Sequence, residues 1–172
     1  MKKSVLISQY FTLDENMMFI IGSLIIVLSL FLTLMVVIPG KRKKKSIDTM
    51  SGLEFEEYVA KILKNNGYKI YLTKSSHDFG ADIIVYNLGS KKLKMVIQLK
   101  RYSEKIPISA VQEVFAAMFY YDADISVVLT NNYFSNASIT LADKIGVELW
   151  DRGVLLALKR GERLEKYLDE YL

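Results

Sequence analysis

Gln98 and Lys100 stand two apart in the run VIQLKRY (96–102), where Val96, Ile97 and Leu99 mark a strand. Side chains two apart on a strand leave from the same face, so a long amide and an ammonium share a surface in an otherwise apolar run. An earlier run, ADIIVYN (81–87), puts Asp82, Ile84 and Tyr86 on one face, and LGSKK between the two predicts a tight antiparallel turn. If the polar faces coincide, Asp82, Gln98 and Lys100 converge, and a buried charge demands such company. A carboxylate, an amide oxygen and an ammonium around one point can hold a divalent cation and a water. Asp82 would bind the ion, the backbone carbonyl of Leu99 would add an oxygen, and Lys100 would orient or deprotonate the attacking water. An Asp–Lys ion pair at the sheet edge with a structural role alone fits the spacing equally.

The rest of the composition narrows the chemistry. There is no cysteine and only one histidine among 172 residues, which excludes disulfides, thiolate nucleophiles and multi-imidazole zinc sites. Any metal must therefore be a hard ion held by oxygen. A third ligand is expected from the first helix of the domain. There Glu57 lies opposite the apolar stripe and Glu54 serves a capping box with Ser51, which leaves Glu56 as the candidate.

These residues require a frame. The stripe Phe55, Tyr58, Val59, Ile62 and Leu63 predicts a helix from Ser51 to about Asn66, ended by Gly67. Strands follow at 68–73, 81–87 and 93–102, with loop chemistry at 75–80. Pro107 then introduces a helix over 108–123, with Ser109 and Gln112 as a second capping pattern. ISVVLT (125–130) reads as a strand buried on both faces. A helix closed by Gly146, a short strand VELW and a helical tail complete the order α-β-β-β-α-β-α-β-α. The fold class is α/β, a mixed sheet flanked by helices.

Ahead of this domain, Met17–Ile38 is an uncharged run of 22 residues, about 33 Å as a helix and long enough to span a bilayer. A signal peptide would have a shorter apolar core and a cleavage site. Here Pro39-Gly40 and KRKKK follow instead. Residues 1–45 carry seven of the 23 basic side chains and only two of the 19 acidic ones, so the remainder of the chain is close to neutral. The basic excess belongs to the membrane flank, where it contacts anionic lipid, and not to a DNA-binding surface. The positive-inside rule puts the C-terminal domain in the cytoplasm of a single-pass cell-membrane protein. The expected organisation is 1–16 outside, 17–39 transmembrane, 40–50 basic flank and linker (with SIDTM as linker), 51–158 the domain, and 159–172 a charged C-terminal helix.

Taken together, GLEFEEYVAKILKNNGYKIYLT, SSHDFGADIIVYN, VIQLKRY, ISAVQEVFAAMFYYDADISVVLTNNYF and ELWD resemble the catalytic domain of Mrr-type restriction endonucleases, in the PD-(D/E)XK nuclease superfamily. The resemblance covers about residues 50–158. It implies an αβββαβ core and hydrolysis of DNA phosphodiesters with Mg2+ or Mn2+. Asp82 matches the metal-binding Asp, Gln98 and Lys100 match the Q-x-K motif, and Glu56 matches the helix-one Glu. Asp78 matches an Asp of the D-x-G-x-D pattern or serves the turn beside Gly80. Gln112 matches a Gln on the second helix. His77 reads as a loop histidine with DNA contact as the lesser possibility, and Arg101 and Lys105 as phosphate contacts or solvated charges. Thr130 and Asn131 end a buried strand near the site, and Trp150 packs in the core. Two departures stand out: Gln98 replaces the usual acidic residue, and a membrane helix stands where such enzymes carry a DNA-recognition domain. The implied function is a membrane-anchored DNA endonuclease acting in defence against foreign DNA, with a homodimer suited to cutting both strands. The competing reading is a catalytically weak or inactive nuclease fold used for DNA binding or interaction at the membrane.

Overall fold

The computed structural model describes residues 15–37, 46–73, 79–168 and 170–171. The chain divides into two compact units, Met1–Lys44 and Lys45–Leu172. In the first, α1 (Glu15–Val37) contains one stretch, Asn16–Met35, long and apolar enough to cross a membrane; a signal sequence meets the same criterion. Two of its polar side chains are bonded to their own helix, Ser23 Oγ to the Ile20 carbonyl at 2.8 Å and Thr33 Oγ1 to the Ser29 carbonyl at 2.9 Å. Such internal bonding suits a helix in an apolar medium. Residues 1–14, Ile38, Pro39 and the basic flank 41–45 lie outside the described residues.

The second unit is built on a five-stranded mixed sheet in sequential order. β1 (Lys69–Leu72), β2 (Ile83–Leu88) and β3 (Leu93–Lys100) are antiparallel, while β4 (Ile125–Thr130) and β5 (Glu148–Trp150) continue parallel to β3. Helices cover both faces. α2 (Gly52–Asn65) and α5 (Arg152–Lys159) bury Phe55, Val59, Leu63, Leu155 and Leu158 against Ile83, Ile97, Leu99 and Leu129. α3 (Ile108–Tyr120) and α4 (Asn136–Ile145) bury Ala110, Val111, Val114 and Ala142 against Ile84, Val96 and Val128. β4 is buried along its whole length, as a strand covered on two sides must be. The Ser51–Glu54 capping box forms, with bonds of 3.2 and 2.8 Å, and Gly67 (φ +89°) takes the left-handed position beyond α2.

Three expectations change. SIDTM is not a free linker: Ile47–Thr49 is a 3₁₀ turn, Ile47 lies in the core, and Asp48 pairs with Arg152. A buried isoleucine and a salt bridge to a distant helix make this segment part of the domain. The charged tail is not a helix over 159–172. α5 stops at Lys159, Gly161 (φ +95°) breaks it, and among the described residues a 3₁₀ turn at Leu164–Tyr167 is the one helical element that follows. The Ser109–Gln112 capping pattern does not form, because α3 begins with Pro107 at its N-cap and Ser109 is already helical.

Candidate active site

β3 presents Val96, Gln98 and Lys100 toward α3, while Ile97 and Leu99 enter the core beneath α2. The β2–β3 register places Ile84 opposite Val96 and Ile83 opposite Ile97, so Asp82, one residue earlier, falls opposite Gln98. Asp82 lies just outside the regular strand, but its N–H donates to the Ile97 carbonyl at 2.9 Å and its own carbonyl accepts from Thr73 N–H at 3.0 Å.

Both backbone groups being fixed, the buried Asp82 carboxylate is aimed at β3. Its Oδ2 accepts from Gln98 Nε2 and from the Leu99 N–H, both at 2.6 Å. These short, charge-assisted bonds offset the desolvation of a carboxylate that has little contact with water. The bond through Nε2 also fixes the Gln98 amide, and among the described residues no group donates to its Oε1. That oxygen is a hard donor of the type a magnesium ion selects. Among the described residues no three Asp, Glu or His side chains gather around one point. Among the described residues the oxygens brought together are the Asp82 carboxylate, the Gln98 amide and the Leu99 carbonyl, which a small oxygen-loving cation fits if water or phosphate completes its shell.

Lys100 is the last residue of β3. Its ammonium is 2.6 Å from Glu113 Oε2 on α3, with the two side chains 20% and 42% exposed. The ion pair at the sheet edge is thus Lys100–Glu113, not Asp82–Lys100. The sequence reading singled out Gln112 and passed over its neighbour, yet Gln112 is exposed. The buried stripe Ala110, Val114 and Ala117 was the available signal, since position 113 borders it.

The approach to Asp82 is clamped on the same helix. Phe79 (φ +48°) stacks on Tyr120 at 3.9 Å, and Gly80 (φ +90°) sits where a Cβ would overlap the Glu113 carbonyl oxygen. The loop entering the site is thereby held along two turns of α3, one of which carries the partner of Lys100. From the other side Thr130 Oγ1 donates to the Lys100 carbonyl at 2.7 Å.

Of the other sequence candidates, Glu56 is half-buried on α2, the helix over the opposite sheet face. Asp78 and His77 lie outside the described residues. Arg101 points away from Lys100, as alternation requires, and its Nη1 reaches the Asp48 carbonyl at 3.4 Å. Lys105 is exposed after β3, and Trp150 is buried in the core.

A family model described as restriction endonuclease (Mrr_cat) matches residues 47–158. No curated protein matches the chain. Among solved structures, AF1548, a protein of unknown function, is 16% identical, with 61% of this chain and 65% of that one covered at a TM-score of 0.48. The MspJI restriction endonuclease, in complex with a 27-mer oligonucleotide, is 22% identical, with 67% of this chain and 31% of that one covered at a TM-score of 0.38. The chain therefore spans less than two thirds of the length of either.

Proposed function

The chain belongs to the restriction endonuclease family whose catalytic-domain model it matches, and from that premise we propose that it is a membrane-anchored, divalent-metal-dependent DNA endonuclease acting against foreign DNA. What supports the reading most is the buried Asp82 carboxylate bonded to Gln98 and to the Leu99 N–H, with Lys100 beside them at the strand end. Asp82, the Gln98 Oε1 and the Leu99 carbonyl would hold Mg2+ or Mn2+. When bound, the ion would lower the pKa of water and offset charge on the phosphoryl oxygens.

The remaining work falls to side chains of this chain. Lys100, with three donors and no acceptor as an ammonium, can hold the attacking water or a phosphoryl oxygen while Glu113 fixes its direction. Water then adds to phosphorus as one ester P–O bond breaks. Asp78, His77, Arg101, Lys105 and Gln112 are the candidates for contacts to the DNA or to the groups around the metal. The segment α1 with Lys41–Lys45 would anchor the domain on the cytoplasmic side, its cations against anionic lipid. A homodimer would bring two sites to the two strands.

The test is cleavage of duplex DNA by the full chain in detergent with Mg2+. Lys100→Ala is expected to lower the rate at least about 100-fold; equal cleavage by both would sink the site assignment. The neutral Gln98 amide where such sites usually have an acidic residue favours a second reading, a DNA-binding or interaction module with weak or no catalysis. That reading predicts no Mg2+ affinity lost on Asp82→Ala, which a metal titration decides.

A further inference from the structure

The β3–β4 ladder ends at the pair Lys100–Thr130. Beyond it the backbone around Lys100 is held by side chains. Thr130 Oγ1 donates to the Lys100 carbonyl at 2.7 Å, and Asn131 Oδ1 accepts from the Tyr102 N–H at 2.9 Å. Arg101 is thus bracketed by two bonds that set where the strand carrying Lys100 stops.

Asn131 is buried, 4% exposed, so both ends of its amide need partners. Because its oxygen is used by Tyr102, its Nδ2 must find an acceptor. It finds Asp48 Oδ1 at 3.1 Å. Asp48 is fixed in turn by both guanidinium nitrogens of Arg152, at 2.5 and 3.0 Å, while Arg152 Nη1 also donates to the Asn131 carbonyl at 3.0 Å. The Arg152 guanidinium, with the Asn131 amide, holds the Asp48 carboxyl down to about 2, well below the usual range. An ion pair this exposed adds little stability of its own. Its consequence is directional: it orders a chain of donors and acceptors from residue 48 to the backbone beside Lys100.

We propose that Asp48 is a positioning residue for Lys100, acting through Asn131 and the Tyr102 amide. The inference rests on the nuclease reading for Lys100, but the hydrogen-bond chain stands apart from it. The segment directly after the basic flank is then part of the support of the site, 52 positions ahead of the lysine it serves.

The experiment uses the full chain in detergent, with DNA duplex and Mg2+, and reads kcat, KM and amide hydrogen exchange. Asp48→Ala is expected to lower kcat about 10–100-fold with KM within about twofold, as a small misplacement of a reacting group does. Exchange at Tyr102 should quicken about tenfold or more, while residues 83–88 stay protected. Asn131→Asp places two carboxylates face to face and should do the same. Asp48→Asn keeps an Oδ1 acceptor for the Asn131 Nδ2 and gives up one of the two Arg152 bonds, and it should recover most of both readouts. Unchanged Tyr102 exchange in Asp48→Ala, faster exchange with kcat intact, or Asp48→Asn no better than Asp48→Ala would each overturn the proposal. If the unaltered chain cleaves no DNA, the nuclease reading falls, and the exchange of the three variants still decides whether Asp48 fixes this strand end.

Discussion

Gly80 and Glu113 are linked through a contact that neither residue type announces. The Gly80 backbone lies against the Glu113 carbonyl, and a methyl group there would overlap it at a φ that L side chains avoid. Gly80→Ala is therefore expected to cost about 3 kcal/mol through overlap and backbone strain, seen as a lowered thermal midpoint. The Glu113 side chain tests the opposite limit. Its pair with Lys100 is 42% exposed on the acidic side, so Glu113→Ala should move the midpoint by less than about 2 °C. If Lys100 acts on the substrate, the same variant should slow cleavage about tenfold by releasing the ammonium from its fixed direction. A large stability loss with unchanged rate would contradict this division.

At the scale of elements, helices on both faces hold the sheet and the tail closes one edge. Tyr68, just before β1, donates to Glu165 Oε2 at 2.5 Å and accepts from the Leu164 N–H at 2.8 Å. Burial first, and then the Glu165 hydrogen bond, push its phenol up to about 12. The folded value exceeds the unfolded one, so the contribution is complete below about pH 10 and is lost as pH rises through about 12. An alkaline unfolding limb in that window, smaller in Tyr68→Phe and followed by phenolate absorbance, is the expected result. This docking replaces the helix expected over 159–172. Gly161 and the buried Leu164 and Leu168 make the tail a packed strap instead.

For the molecule as a whole, the boundary of the folded unit is the point most open to measurement. A fragment 46–172 retains Ile47 and Asp48, whereas 51–172 keeps the named candidates Asp82, Gln98, Lys100 and Glu56 but loses both. Loss of Ile47 burial alone is worth about 2 kcal/mol, so the shorter fragment should melt about 8 °C lower. Equal midpoints would mean that the 3₁₀ turn adds nothing to the domain.

The order of elements, the mixed α/β class and the Asp82–Gln98 pairing were legible in the sequence because they depend on short-range rules. Period-two alternation chooses the face, and a tight turn fixes which residues of β2 and β3 can meet. The same rules put Lys100 on the face of Gln98, although they ran the strand on to residue 102 where it stops at Lys100. They could not supply its partner, because Glu113 arrives by way of a crossover helix whose angle is set by packing. Nor could they join Asp48 to Arg152 across 104 positions, which kept SIDTM looking like a linker. Local periodicity determined which groups face the site from each element. Tertiary packing decided which groups from other elements brace them, since contacts between elements distant in sequence form only when the sheet and both helical layers are in place.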